Sequence, residues 1–109
     1  MKFLVLAYGA EEDWIALSKA EQDALLAQDE VLLQRGDTVA AVELAITTVR
    51  NSNHELTVSG GSFASSRVPL AGFGIIEADD LDEAIRLVAN TPCAVAGGAV
   101  ELRPILKMQ

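Results

Sequence analysis

An α+β fold of the split β-α-β kind is the class that this sequence predicts: an antiparallel sheet with two helices on one face and an added hairpin. Three observations predict it. Lys2–Tyr8 and Leu70–Ile76 are apolar on both alternating sets of positions, as strands covered on both faces are. Each of these runs is followed by a segment with helical spacing that opens on a capping or acidic signal. The final strand-like run contains Pro104, which lacks the amide proton a ladder needs and is tolerated mainly at a sheet edge.

In the first strand Phe3, Val5 and Ala7 form one apolar set and Leu4, Leu6 and Tyr8 the other, which predicts a central position in the sheet. An acidic loop holding Trp14 comes next. Ser18 with Glu21 three residues later makes a capping box, each side chain satisfying a free amide at the helix start. A helix from about Lys19 to Arg35 follows. Its inward stripe is read as Ala24, Leu25, Gln28, Val31 and Leu32, with Gln28 a polar flaw, and Gly36 supplies a left-handed stop. The β-branched content of Thr38–Val49, a turn at "RNSN" and a returning strand His54–Val58 read as a hairpin.

Leu70–Ile76 is the second central strand, with Leu70, Gly72, Gly74 and Ile76 on one side and Ala71, Phe73 and Ile75 on the other. In "EADDLDEAIRLVANTP" the carboxylates offset the helix dipole, Leu81, Ala84, Ile85 and Val88 keep helical spacing, and Pro92 lies beyond the helix end. The last strand spans Ala99–Leu106. The order β-α-β, hairpin arm, β-α-β is the ferredoxin-like pattern. Right-handed crossovers that skip one strand give the spatial order last, first, third, second. Two helices cover one face of such a sheet. The other face keeps an apolar patch larger than soluble monomers usually expose, so a homodimer with sheets packed face to face is expected, and any small-molecule pocket is expected between sheet, helix and partner.

The 109 residues fit one domain, residues 1–109. Half are apolar and 22% charged, a globular composition rich enough in apolar surface for so small a chain to need a partner. A net charge of -8 repels phosphate backbones and anionic lipids, which argues against nucleic-acid and membrane partners. Cys93 stands alone, so no intrachain disulfide framework exists, and the short apolar N-terminal run has no cleavage pattern; a cytoplasmic location is expected.

The glycines of "GFGIIE" sit inside a strand with no helix beginning there, so they cannot aim amides at a pyrophosphate, and they read instead as places where a neighbouring chain comes close. "VSGGSFASSR" has no P-loop lysine and no nucleophile elbow. His54 is the one near-neutral proton carrier, a weak catalytic candidate against the alternative of a solvated hairpin residue. Cys93 reads as a small apolar residue rather than a thiolate, and the acids of "EADDLDE" as helix capping. No metal site and no cofactor are expected from one histidine and one cysteine without EF-hand spacing. Tyr8 and Trp14 serve equally as pocket lining or dimer contacts, and Arg67 is the cation beside the serine-glycine stretch.

"MKFLVLAYGAEEDWIALSKAEQDALL", "LLQRGDTVAAVEL", "GGSFASSRVPLAGFGIIEADDLDEAIRLVANTP" and "GAVELRPI" resemble the YCII-related proteins, specifically the DGPF-domain branch, over nearly the whole chain. The resemblance implies a small dimeric α+β barrel protein. It also carries a suggested His and Asp catalytic pair, for which this chain has no histidine at the matching place. The family's Asp-Gly-Pro-Phe turn falls on Gly60, Gly61, Ser62 and Phe63, so its acid is glycine here. Its lysine matches Arg67, its paired glycines fall on Ala71 and Gly72, its tyrosines on Phe73 and Gly74, and its Gly-Glu after the first helix is lost, with Val42 at the glutamate. The expected ligand-binding residues are Tyr8, Ser59, Ser62, Phe63, Arg67 and Phe73. Small-molecule binding without demonstrated catalysis is the first reading. A cofactor-free lyase, isomerase or oxygenase is the second, and a regulatory or structural partner the third.

Overall fold

A computed structural model describes residues 1–107. The chain runs β1 (Lys2–Tyr8), α1 (Glu11–Ile15), α2 (Lys19–Gln34), β2 (Thr38–Ala41), β3 (Thr47–Arg50), β4 (Thr57–Gly60), β5 (Leu70–Glu77), α3 (Leu81–Val88), α4 (Pro92–Val95) and β6 (Ala99–Pro104). Four strands form an antiparallel sheet in the order β2-β5-β1-β6. That is the expected order, with β1 and β5 central and the Pro104 strand on an edge. β3 and β4 pair only with each other, as a separate two-stranded arm.

The capping box of α2 is present in full: Ser18 Oγ accepts from the Glu21 amide and Glu21 Oε1 from the Ser18 amide. Gly36 ends the helix at φ +94°, a conformation that a side chain disfavours. Arg35 and Asp37 then tie this end of the helix to the sheet. Arg35 donates 2.9 Å to Asp37 and 2.5 Å to the Glu77 carbonyl, while Asp37 accepts from the Glu77 amide at 3.0 Å. On α3, Asp80 caps by accepting from the Glu83 amide.

The core lies between the sheet and α2 and α3, built on fully buried Phe3 and Ile76 with Val5, Leu32, Ala84 and Val88. Opposite pairs in the register place Phe3, Val5, Ala7, Gly72, Gly74 and Ile76 on this face. Leu4, Leu6, Tyr8, Phe73 and Ile75 stand on the other face, which no helix among the described residues covers.

Several details differ from the sequence reading. Trp14 lies in α1, not in a loop, and the Gln22 side-chain amide donates to the Trp14 carbonyl to hold that turn on α2. The α2 stripe is narrower than expected. Leu25 and Leu32 are buried, whereas Ala24 and Val31 face solvent. Gln28 is no flaw, since its amide donates to the Leu87 carbonyl and joins α2 to α3. On α3, Ala84 and Val88 face inward while Leu81 and Ile85 are exposed. The expected strand Thr38–Val49 is broken at Val42–Ile46: β2 joins the main sheet and β3 leaves it. His54 lies in a 3-10 turn with positive φ rather than starting a strand, and β4 begins at Thr57. The last strand ends at Pro104, short of Leu106.

Candidate functional site

The site begins as a row of small residues. Ala7, Gly72 and Ala41 lie opposite one another across β1, β5 and β2, and Gly74 follows two positions on, so the helix-facing floor of the sheet has almost no side-chain volume there. Gly72 and Gly74 also permit β2 to approach: a Cβ on either would stand 2.7 Å from the Ala40 or Thr38 carbonyl oxygen. This is the close backbone approach that the strand-internal glycines led us to expect. Helix α2 bridges over the gap and leaves a cavity of about 210 Å³ between sheet, α2 and α4. It shares Cys93, Pro92 and Ala71 as lining with a wider neighbouring groove of about 800 Å³ bordered by Glu11, Glu12, Trp14 and Leu26.

The cavity wall is apolar except at a few points. Asp29 lines it from α2, four residues after Leu25 and three before Leu32, on the stripe that faces the sheet. Burial pushes the Asp29 carboxyl up from its ordinary range. Burial and then the nearby Asp29 push the Cys93 thiol up as well, so Cys93 is a poor thiolate and packs as a small apolar group. Thr91 is nearly buried and its hydroxyl is engaged, donating 2.6 Å to the Val88 carbonyl.

The expected site residues are not gathered in one place. Phe73 borders the cavity by its position on β5, but lies opposite Leu6 on the uncovered face of the sheet. Tyr8 stands on that same face near Glu101 and Arg103, where a hydrogen bond to Glu101 pushes its phenol up and Arg103 pairs with Glu101 at 3.5 Å. Ser59 is on the arm and Ser62, Phe63 and Arg67 in the loop after it, all exposed and outside both the cavity and the groove. The loop is held by its own bonds: Ser62 Oγ donates to the Ala64 carbonyl, Thr48 to the Gly61 carbonyl, and Arg50 lies over the Phe63 ring at 5.5 Å. His54 is exposed at the arm's tip.

Sequence reading missed Asp29. An acid on a helix reads as solvent-facing, and the available signal was its spacing between Leu25 and Leu32.

Asp29 leads to a prediction. Its folded pKa is raised, so the fold disfavours the charged form at pH above that value, and the penalty disappears as pH falls through it. Asp29→Asn is therefore expected to stabilise the protein at pH 7.5 by roughly 0.5 kcal/mol, a full desolvation penalty being reduced by solvent at the half-open mouth. The gain should vanish near pH 4, as urea unfolding at the two pH values will show.

Together the fold and this half-open, mostly apolar space define a ferredoxin-like α+β protein with a cavity between its sheet and helices. The YCII-related domain matches residues 1–109, and the chain belongs to the YCII-related family. It is 32% identical over 115 residues, covering 96% of this chain and 92% of the other, to "Uncharacterized protein R00369" of Rhizobium meliloti (strain 1021). Its fold is similar to that of the 5-chloro-2-hydroxyhydroquinone dehydrochlorinase of Burkholderia phenoliruptrix AC1100, solved in complex with 2,5-dihydroxybenzoquinone, with TM-score 0.51, 20% identity, and 97% and 94% of the two chains covered. No helix among the described residues is long and apolar enough to cross a membrane.

Proposed function

We propose that this protein binds a small molecule in the cavity between sheet and helices, and does so as a cytoplasmic homodimer. The cavity carries the reading: about 210 Å³, floored by Ala7, Gly72 and Gly74 and bordered by Cys93, which also lines the neighbouring groove. A dry space of about 150 Å³ already admits benzene, so the volume suits a single substituted ring. The dehydrochlorinase of similar fold was solved with a one-ring quinone, which supports the size of ligand and nothing finer.

The dimer rests on two surfaces. Leu4, Leu6, Tyr8, Phe73 and Ile75 form an apolar centre on a sheet face bordered by Glu101 and Arg103, which no helix among the described residues covers. The arm presents Val49, Leu56 and Val58 to solvent, with Leu44 71% and Phe63 75% exposed beside it, and a lone two-stranded hairpin is marginal in water. The radius of gyration, 15.8 Å, exceeds the roughly 13 Å of a compact chain this long, as an arm reaching outward requires. A second copy covers both surfaces, and its arm would bring Ser59, Ser62, Phe63, Arg67 and His54 alongside its neighbour.

A second reading, catalysis without a cofactor, is favoured by one observation: a carboxyl with a raised pKa inside a cavity is a common feature of acid-base sites. The binding claim is tested by titrating one-ring compounds against the protein and against Ala7→Phe, which fills the floor. Binding is expected to weaken at least tenfold in the variant with circular dichroism unchanged. Equal binding by both proteins would place the ligand elsewhere.

A further inference from the structure

The cavity and its approach are one-sided in charge. Among the described residues that line the cavity or the groove, none is Lys, Arg or His, whereas Asp29 lies inside and Glu11 and Glu12 stand at the groove. An anion entering would lose its hydration and meet only carboxylates in a low-dielectric space, a combination that binding cannot tolerate without a paired cation. Carboxylated and phosphorylated compounds are thereby excluded.

Asp29 sets what is admitted instead. It occupies the inward stripe of α2, where Leu25 and Leu32 are buried and where packing alone would place a third apolar residue. Among the described residues no side chain or amide donates a hydrogen bond to its carboxylate, and burial is the one cause acting on it. The carboxylate is half-buried and its oxygens keep contact with solvent, so a ligand that displaces water there must itself supply a donor or leave the acceptor unpaired. The other polar side chains of the lining are poor alternatives, because the Thr91 hydroxyl is spent on Val88, the Cys93 thiol is a weak donor and Thr38 stands opposite Ile75, on the uncovered face of the sheet.

We infer that the cavity takes an uncharged single-ring compound bearing a hydroxyl, whose O–H donates to the Asp29 carboxylate, and that Asp29 is the residue that orients the ring and selects against anions. The inference rests on the proposed binding of a small molecule in this cavity. Ring and hydroxyl have separate determinants: Ala7, Gly72 and Gly74 make room for the ring, and Asp29 meets the hydroxyl. A hydrogen bond to a charged acceptor is worth about 1.5 kcal/mol or more, roughly tenfold in affinity.

Catechol, toluene and benzoate separate these determinants, with titration calorimetry or the fluorescence of Trp14, the single tryptophan, which borders the groove, as the readout. The wild-type protein is expected to bind catechol roughly tenfold more tightly than toluene, and benzoate more weakly than either. In Asp29→Ala, catechol should lose about that tenfold while toluene changes less than twofold. Asp29→Asn, which keeps a neutral acceptor, should fall between. Benzoate binding as well as catechol, or catechol and toluene weakening equally in Asp29→Ala, would overturn the assignment of Asp29. Toluene binding with no preference for catechol would overturn the hydroxyl claim and leave cavity binding intact. Failure of all three compounds to bind would overturn both.

Discussion

Gly98→Ala is expected to destabilise the protein by about 3 kcal/mol, lowering the midpoint of thermal unfolding by roughly 12 °C. Gly98 joins α4 to β6, and a Cβ there would collide with the Tyr8 carbonyl oxygen and stand 3.0 Å from that of Cys93. Both opposing atoms are backbone, so no rotamer change relieves the clash. The shift must be taken by the β1–β6 ladder where Tyr8 pairs with Ala99, or by α4 where Cys93 closes the cavity. Gly36→Ala provides the contrast. Nothing lies within 4 Å of its Cβ position, and the left-handed backbone alone should cost about 1 kcal/mol. Scanning calorimetry of the two variants checks the pair, and similar midpoints would mean that steric approach at Gly98 is not what the geometry indicates.

The second large effect concerns assembly. Leu6→Lys combined with Ile75→Lys places two ammonium groups on the uncovered sheet face, away from the cavity, with Leu6 opposite Phe73 and Glu101 and Ile75 opposite Leu4. In a single chain both lysines reach water. Between two packed sheets four of them would be buried, those at position 6 with Glu101 opposite and those at position 75 with no acid opposite, at several kcal/mol in total. The wild-type protein is expected to have the mass of a dimer by light scattering at micromolar concentration, and the double variant that of a folded monomer. A dimeric double variant with normal circular dichroism would show that the two copies meet elsewhere, the arm being the alternative surface. A monomeric wild type would remove the dimer altogether.

The open sheet face and the cavity differ in how far they can be read from residues. The two-sided apolar runs of β1 and β5 depend on alternation within one short segment, and so does the inference that something must cover the second face. The broken strand after Thr38 shows the opposite case. Thr38 through Val49 is β-prone along most of its length, and propensity carries no mark of where β2 leaves the sheet; the Val42 amide still donates to the Ala71 carbonyl, and the chain departs beyond it although β5 continues to Leu70. The serine-glycine stretch gives a third case. Its hydroxyls look available in sequence, yet Ser62 and Ser66 donate to carbonyls two residues on, bonds that arise from the turn's own geometry.

The sequence by itself determined the start of α2, the strand order and the central place of β1 and β5, because these rest largely on interactions within a few residues: a capping box three apart, alternation over seven, a proline that only an edge accepts. The tertiary structure alone decided where the site lies. Ala7, Ala41 and Gly72 come from three separate strands, and only their register aligns them into a floor without side chains. Helix α2 then spans that gap, and Asp29, an ordinary polar residue in the linear chain, is carried over it into an apolar space. A void is a property of what several distant segments fail to fill, and no local pattern records it.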